Sequence, residues 1–548
     1  MLKQQLLKDL RKAMEVMDYP ATDIVLSTPE NKAHGDYSTN IALQLSKLKS
    51  GNRKHSPQEI AKQILSHLGD LSYLSKAEVV GPGFLNFFIK PEILSGQLAE
   101  ILEKGEDFGK NELGKGEKIQ VEFISANPTG PLTLANGRGG AIGDTLANVL
   151  SWSGYKVGRE YYVNDTGNQV RNLGESVLAA AGKAEAKEEH YRGEYIKDLA
   201  EKFKDKLDLD PQSLGHLLAD YLLDSEIKPA ALRIGIKFDE FYSERSLYER
   251  NLIEKAAELL KEKGFAYENE GALWFASTKF GDEKDRVLMT SEGGRGRAEP
   301  TYFLADIAHH FDVLGRGYLK KINIWGADHH GYETRLKGAV AALGFEGKVD
   351  IIFMQMVKLF RGGVEVKMSK RAGTYVTLDE LLEAVDKDAA RFFFLMYSPE
   401  SHIDFNLDLA KEQSNKNPVF YVQYAHARMS NILKKAGEKP IDSCKARPCP
   451  ARPGLAGQLS HPAELALIKH LVQLPDLVEG IAQDYQVHKL TFYATKLADL
   501  FHKFYESCRV LNAETEGLKE ARLALVLTAK ITLGNTLSLL GVSAPERM

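Results

Sequence analysis

Two lysines three positions apart give the strongest chemical signal in the chain. Lys367 and Lys370 belong to the string Lys-Met-Ser-Lys-Arg, which Ala, Gly and Thr follow. Two ammonium groups at this spacing, with the Ser369 hydroxyl between them, can neutralise the oxygens of a triphosphate. Nucleotidyl transfer needs such neutralisation more than it needs a covalent nucleophile. A Lys-x-x-Lys pattern alone, however, more often marks a solvated basic loop.

A second segment has the composition of a nucleotide-binding turn. Ile119–Ile124 is rich in apolar residues and predicts a strand, Ser125–Gly140 is rich in Gly, Pro, Asn and Thr and predicts a loop, and Ala141–Ser151 predicts a helix. A further strand is expected near residues 160–163. Strand, glycine-rich loop and helix in this order favour a doubly wound, Rossmann-type parallel sheet.

The lysine string resembles the KMSKS loop of class I aminoacyl-tRNA synthetases, with Arg371 in place of the last serine. The partner motif of that class is a HIGH tetrapeptide, and at the matching place this chain has residues 133–136, Thr-Leu-Ala-Asn. The flanks of the tetrapeptide match, but both histidines are replaced. Further stretches resemble the arginyl-tRNA synthetase family in particular, in the order of that family: residues 121–131, 160–165, 302–308, 325–332, 388–393 and 541–548.

The resemblance implies an arginine site. Tyr302 and Asp306 would hold the guanidinium, and residues four apart share one face of a helix. A carboxylate matches the planar guanidinium bidentately. Glu122 and Asn127 would hold the other polar groups, including the α-amino group, and His330 would be a further contact. The alternatives are a capping or surface role for Asp306 and strand-end hydrogen bonding for Glu122 and Asn127.

The resemblance also implies an ATP site around the altered tetrapeptide. Thr133 and Asn136 can each donate a hydrogen bond to a phosphate oxygen, although neither carries a positive charge as a histidine can. The expected catalytic residues are Lys367, Ser369, Lys370, Thr133 and Asn136. The expected ATP contacts are Thr133, Asn136, Gly137, Asp328, Met368 and Lys370.

Two flanking regions resemble the tRNA-binding parts of the family. Residues 33–40, which end at Asn40, and residues 81–86 are similar to the N-terminal domain that grips the tRNA elbow; a plain accessory domain is the alternative. Tyr421, Tyr424 and Arg428 fall in a segment similar to the anticodon-binding domain. Aromatic rings and a cation suit a single-stranded RNA loop, but each of the three could equally be packed in a core.

Metal binding is not expected. His309, His310, His329 and His330 form two adjacent pairs, and adjacent side chains on a regular element point in different directions. Cys444, Cys449 and Cys508 lack the second pair of ligands that a zinc site needs, so they are expected to be unbridged thiols in a reducing cytosol.

The chain of 548 residues is too long for one hydrophobic core. The predicted fold is multidomain α/β: an N-terminal α+β domain over residues 1–112, a Rossmann-type catalytic domain over 113–416, and an all-α bundle over 417–548. The catalytic domain would contain a helical insertion over about 172–285 and the basic loop at 367–371. A net charge of -4 neither supports nor excludes RNA binding. The N-terminus predicts an amphipathic helix rather than a signal peptide, and the apolar stretch 523–542 a buried helix.

The expected function is ATP-dependent activation of L-arginine to arginyl-adenylate and its transfer to the terminal adenosine of tRNA(Arg). ATP with Mg²⁺ would be the cosubstrate, and no structural metal is expected. The protein is expected to be a cytoplasmic monomer that does not bind a membrane. Two alternatives remain: a tRNA-binding paralogue that has lost activation, motivated by the altered tetrapeptide, and a class I synthetase for another amino acid, in which Asp306→Asn would be harmless.

Overall fold

The computed structural model describes residues 2–20, 22–27, 29, 32–47, 55–69, 71–291, 299–366, 376–437 and 457–548. Strands and helices are numbered along the chain. The strands are β1 (Tyr37–Thr39), β2 (Leu74–Val80), β3 (Phe84–Ile89), β4 (Lys118–Glu122), β5 (Lys156–Val163), β6 (Glu240–Ser243), β7 (Ala266–Asn269), β8 (Ala272–Phe275), β9 (Arg286–Met289), β10 (Lys320–Gly326), β11 (Val349–Met354), β12 (Val357–Arg361), β13 (Val364–Val366) and β14 (Ile403–Asn406).

The helices of the first three-quarters of the chain are α1 (Leu2–Val16), α2 (Ile41–Leu45), α3 (Pro57–His67), α4 (Pro91–Lys104), α5 (Leu134–Trp152), α6 (Gly167–Ala180), α7 (Glu194–Lys202), α8 (Pro211–Leu222), α9 (Lys228–Arg233), α10 (Arg245–Glu249), α11 (Leu252–Glu262), α12 (Tyr302–Gly315), α13 (Glu333–Ala342), α14 (Leu378–Ala384), α15 (Lys387–Leu395) and α16 (Leu407–Lys411). The C-terminal helices are α17 (Pro418–Lys435), α18 (Pro462–Leu471), α19 (Leu474–Asp484), α20 (Lys489–Ser507) and α21 (Glu516–Leu540).

The chain divides into two compact units, of which the first comprises residues 1–106, 429–473 and 499–532. Its N-terminal part is a three-stranded antiparallel sheet, in the order β1-β3-β2, with helices packed on it. The turn at residues 81–83 joins β2 to β3. Helix α1 is amphipathic, because Leu6, Leu7 and Leu10 are buried while Lys8 and Lys12 are exposed.

The second unit comprises residues 107–428, 474–498 and 533–548 and contains a five-stranded parallel sheet in the order β11-β10-β4-β5-β6. Such a sheet is covered on both faces, so its strands carry buried apolar residues throughout. Val121, Phe123 and Ile322 are accordingly buried. Two small three-stranded sheets, β7-β8-β9 and β13-β12-β14, accompany it. The multidomain α/β fold with a doubly wound parallel sheet is therefore confirmed.

Helix α5 begins at Leu134, so the predicted loop over 125–140 is too long. Three glycines of the predicted loop, Gly137, Gly139 and Gly140, lie inside the helix. A Cβ atom on Gly140 would lie 2.5 Å from the Ile236 side chain, and one on Gly143, which falls in the predicted helix, would lie 2.2 Å from Phe123. The glycines let α5 approach the sheet closely, as glycine does wherever backbone must come near other groups.

The stretch 172–285 is mostly helical, but it also contains strands that were not predicted. They are β6, an edge strand of the parallel sheet, and β7 and β8, which form an antiparallel sheet with β9 just beyond the stretch. These strands are only four residues long, which is too short for the alternation of polar and apolar residues to stand out.

Helix α21 is long and apolar enough to cross a membrane by length and composition, and 61% of its most apolar window is buried inside the protein. Leu525, Val526 and Ala529 are fully buried. The prediction of a buried helix over the stretch 523–542 is confirmed. Cys508 is a buried free thiol, while Cys444 and Cys449 lie outside the described residues.

Candidate active site

The carboxyl ends of four parallel strands bring the candidate residues to one edge of the sheet. Glu122 is the last residue of β4, and Glu244 follows β6 directly. Tyr162 is near the end of β5, and a helical turn over Ala327–Tyr332 follows β10. Open parallel sheets bind ligands in the crevice outside these ends.

A strained turn follows β4 at this edge. Ile124 and Ser125 both have positive φ, at 68° and 40°, a conformation that is rare for a β-branched residue such as isoleucine. The Ser125 hydroxyl holds the turn, because it donates to Glu122 Oε1 (3.0 Å) and accepts from the backbone N–H of Tyr162 (3.1 Å). Asn127, which is half-buried, lies two residues further on. Backbone strain of this kind concentrates at functional sites.

Asp306 is a partly buried carboxylate on α12 that accepts a hydrogen bond from the Tyr332 hydroxyl. Burial raises its pKa to about 7; the Tyr332 hydrogen bond opposes the shift, while Glu244 and Glu122 add to it. Among the described residues no cation lies within ion-pair distance of Asp306. Its position inside the helix excludes the capping role.

Glu244 is a second carboxylate, close enough to Asp306 to affect its pKa. It is 3% exposed and accepts hydrogen bonds from the hydroxyls of Tyr162 (3.0 Å) and Thr166 (2.7 Å). Burial raises its pKa, and these two hydrogen bonds only partly offset the effect. Within the described part of the chain it also has no ion-pair partner. The edge of the sheet therefore presents two carboxylates that lack a counter-ion.

Glu122, in contrast, is already paired. Lys321 is fully buried on β10, and its Nζ lies 2.7 Å from Glu122 Oε2 and 3.0 Å from Glu160 Oε1. His309 Nε2 is 2.8 Å from the same Glu160 oxygen. Glu122, Glu160 and His309 are close enough together to hold a metal ion, but the Lys321 ammonium group is bound to both carboxylates and supplies the positive charge itself.

Tyr302 lies one turn before Asp306 on α12, on the same face, and is 52% exposed. His330 is exposed and stacks on Phe353 with ring centroids 3.7 Å apart. Asp328 is exposed on the same helical turn as His330 and is 3.7 Å from His329. The structure thus brings the predicted arginine contacts to the carboxyl edge of the sheet, with Asp328 on the turn after β10.

Thr133 and Asn136 form the N-terminal cap of α5. The backbone N–H and hydroxyl of Thr133 donate to Asn136 Oδ1 at 2.9 and 2.8 Å, and the Thr133 hydroxyl accepts from the Asn136 N–H at 3.5 Å. The oxygens of both side chains therefore satisfy the helix end. Gly137 is buried, and a Cβ atom there would lie 2.7 Å from the end of the Leu378 side chain, so a larger residue would displace that leucine.

Arg138, one residue further along α5, is a fully buried cation. Its guanidinium donates to the carbonyl oxygens of Gln355 (2.7 Å) and Ser398 (2.9 Å). Burial lowers its pKa to about 10. None of the described carboxylates pairs with it.

The basic loop residues Lys367, Met368, Ser369, Lys370 and Arg371 lie outside the described residues. The chain that follows them is anchored at the start of α5. Thr377 pairs with Thr133 as an isolated antiparallel bridge, and the Leu378 N–H donates to the Leu132 carbonyl at 2.8 Å.

The predicted tRNA contacts are near the surface. Asn40 is exposed before α2, and its Oδ1 accepts from Gln44 at 3.0 Å. On α17, Tyr424 is 38% exposed, the Arg428 guanidinium is 6.0 Å from its ring centroid, and Tyr421 is partly buried.

Sequence reasoning missed Glu244, Lys321 and Tyr332. Glu244 lies in the stretch interpreted as a helical insertion, so the sequence did not predict that it follows a strand of the parallel sheet. Lys321 did carry a signal, because a lysine at the head of the apolar run Ile322–Trp325 needs a buried partner. Tyr332 falls within a segment similar to the family, but its contact to Asp306 depends on how the turn after β10 folds.

Three family models cover most of the chain. The model for the class I (R) tRNA synthetase catalytic domain matches residues 97–394, so the parallel sheet and its crevice are those of a class I synthetase. The arginyl-tRNA synthetase N-terminal domain matches residues 1–89, and the DALR anticodon-binding domain matches residues 422–548.

Individual relatives agree with this assignment. The chain is 46% identical over 538 residues to the arginine–tRNA ligase of Carboxydothermus hydrogenoformans, covering 95% of this chain and 94% of that protein. It is 43% identical to that of Desulforamulus reducens, covering 100% of both. The arginyl-tRNA synthetase structure from Thermus thermophilus matches with a TM-score of 0.81 and 25% identity, covering 100% of both chains. The chain belongs to the arginyl-tRNA synthetase family.

Proposed function

We propose that this protein joins L-arginine to tRNA(Arg) in two steps, as a cytoplasmic monomer. Arginine and ATP first form arginyl-adenylate and pyrophosphate, and the 2′-hydroxyl of the terminal adenosine of the tRNA then displaces AMP. The observation that supports the arginine step best is the pair of carboxylates, Asp306 and Glu244, that have no counter-ion among the described residues. A guanidinium is always charged and supplies the missing cation.

Different acidic groups of the pocket bind the two charged ends of the substrate. Asp306 and Glu244 receive the guanidinium, with Tyr302 beside them on the face of α12. Glu122, whose charge Lys321 already balances, receives the α-ammonium group together with Asn127. His330 stands on the turn after β10 as a further contact. This division follows the charges, because the two carboxylates without a counter-ion meet the group that cannot lose its proton.

Bond formation takes place at the other end of the crevice. A carboxylate oxygen of arginine attacks the α-phosphorus of ATP. A new O–P bond forms, and the O–P bond to the leaving pyrophosphate breaks. Lys367, Ser369 and Lys370 stabilise the departing phosphates. The N-terminus of α5, with Thr133, Asn136 and Gly137, adds the positive end of the helix dipole.

The adenosine part of ATP is assigned to Asp328 and Met368. Mg²⁺ enters with ATP: the described acids of the crevice are engaged by Lys321, Tyr332 and Tyr162, and Mg²⁺ commonly binds through phosphates and water rather than in a protein cage. For the tRNA, Asn40 is assigned to the elbow and Tyr421, Tyr424 and Arg428 to the anticodon arm.

The test of this function is arginine-dependent exchange of pyrophosphate into ATP, measured with and without tRNA(Arg). We expect exchange with arginine and, as is common in this family, a requirement for the tRNA. Absence of exchange in both conditions, together with intact tRNA binding, would leave a tRNA-binding paralogue without activation. A Lys370→Ala variant should lose exchange by orders of magnitude and still bind the tRNA.

A further inference from the structure

Lys321 is a lysine side chain with no exposed surface in the middle of the parallel sheet. Besides Glu122 and Glu160, its ammonium group donates to Gln120 Oε1 at 2.7 Å. The three contacts use all three of its protons. A buried charge is tolerated only when it is paired and hydrogen-bonded in this way, so its position is fixed.

Lys321 fixes one side of the Glu122 carboxylate. Oε2 of Glu122 lies 2.7 Å from Lys321 Nζ, and Oε1 accepts from the Ser125 hydroxyl at 3.0 Å. A carboxylate has about four lone-pair positions on its two oxygens, so the group is held in one orientation and still has capacity to accept from a ligand.

The other side of the network reaches the helix that carries Asp306. Glu160 accepts from Gln120 Nε2 at 2.7 Å and is 2.8 Å from His309 Nε2. His309 lies three residues after Asp306 on α12. Lys321 therefore connects β10 with β4 and β5 directly, and with α12 through Glu160.

We propose that Lys321 is a positioning residue of the arginine site: it holds Glu122 in the orientation that accepts the substrate's α-ammonium group. By neutralising Glu122 it also directs the guanidinium to Asp306 and Glu244. This inference rests on the proposed function, since it names how one end of the substrate is recognised.

The inference makes a prediction about one analogue. 5-Guanidinopentanoic acid is arginine without its α-amino group. In the wild-type protein we expect it to bind about 10- to 100-fold more weakly than arginine, the size of a lost hydrogen bond between charged groups. In Lys321→Met the arginine affinity should fall while that of the analogue changes little. The ratio of the two dissociation constants, analogue over arginine, should then drop below about threefold. Isothermal titration calorimetry on the full chain measures both constants.

A second variant separates positioning from folding. Lys321→Met removes the cation paired with Glu122 and one of the two cations, Lys321 and Arg316, beside Glu160. Because this imbalance of buried charge can unfold the protein, Lys321→Met/Glu160→Gln removes one charge of each sign. If Lys321 positions Glu122, the double variant folds and still fails to distinguish arginine from the analogue. A double variant that regains the wild-type ratio would overturn the proposal, because charge balance alone would then explain Lys321.

The adjacent lysine supplies the matched control. Lys320 precedes Lys321 on β10, and its Nζ donates to Asp350 at 2.6 Å, away from Glu122 and Glu160. Lys320→Met should keep the wild-type ratio. Arginine-dependent exchange in the wild type tests the proposed function separately. If the wild type shows this exchange but both Lys321 variants keep the wild-type ratio, the positioning role is rejected and the proposed function stands.

Discussion

Two regions of the second unit bury charges of opposite sign without an ion pair. At the acidic end of the crevice Asp306 and Glu244 are carboxylates held by the hydroxyls of Tyr332, Tyr162 and Thr166. Inside α5, Arg138 is a fully buried guanidinium held by two backbone carbonyls. Within the described part of the chain none of the three has an ion-pair partner, although burying an unpaired charge costs several kcal/mol.

The difference indicates what each region needs. The acidic end has no cation among the described residues, and in the proposed function the guanidinium of arginine supplies it. Arg138 has no exposed surface and donates to two backbone carbonyls, so it holds the segments of Gln355 and Ser398 to α5. Glu122 and Lys321 already compensate each other.

Removing the charge at the acidic end should have the largest effect. Asp306→Asn keeps the size and loses the counter-ion, so kcat/KM for arginine in pyrophosphate exchange should fall by about 100-fold or more. Asp312→Asn is the control, because Asp312 lies on the same helix and pairs with Arg250. That variant should alter stability with little change in arginine kinetics. Unchanged kinetics in Asp306→Asn would support a different amino-acid substrate.

Removing the buried cation of α5 should have the next largest effect, on stability. Arg138→Met leaves the carbonyl oxygens of Gln355 and Ser398 without their donors and should lower the free energy of unfolding by about 2 to 4 kcal/mol. The Kd for arginine of the folded variant should stay unchanged. Denaturant unfolding measures the first quantity and calorimetry the second. An unchanged free energy of unfolding would contradict this structural role.

The pKa of Asp306 predicts how the acidic end responds to pH. Because arginine needs the ionised carboxylate and burial raises the pKa of Asp306 to about 7, acidification favours the form that does not bind. The Kd for arginine should therefore rise by about tenfold from pH 8 to pH 6. Titration calorimetry in buffers of different ionisation enthalpy should also detect proton release near pH 7. A flat profile would contradict the raised pKa.

The smallest effect is expected at the cap of α5. Thr133→Ala removes the hydroxyl that accepts from the Asn136 N–H and should lower the free energy of unfolding by about 1 kcal/mol. Thr133→Ser should keep the cap. If Thr133 also donates to phosphate, the alanine variant raises the KM for ATP beyond what its stability explains. Denaturant unfolding and exchange kinetics together separate the two roles.

The sequence predicted the parts of the site that depend on local spacing. Tyr302 and Asp306 share a helical face because they are four apart, and Glu122 lies in the strand predicted for residues 119–124, which ends two residues earlier than predicted. The helix start at Leu134 was missed, because glycines that serve close packing look like loop residues in a sequence. Glu244 and Lys321 could not be assigned either, since their roles arise from strand neighbours distant in sequence: β6 beside β5, and β10 beside β4.

The most direct test of the central claim compares arginine with citrulline in wild-type pyrophosphate exchange in the presence of tRNA(Arg). Citrulline has nearly the same shape but carries a neutral urea group in place of the guanidinium. If Asp306 and Glu244 select their ligand by charge, arginine supports exchange and citrulline is poorer by about 100-fold or more in kcat/KM. Comparable exchange with both would contradict the account, because the uncompensated carboxylates would then not determine the substrate.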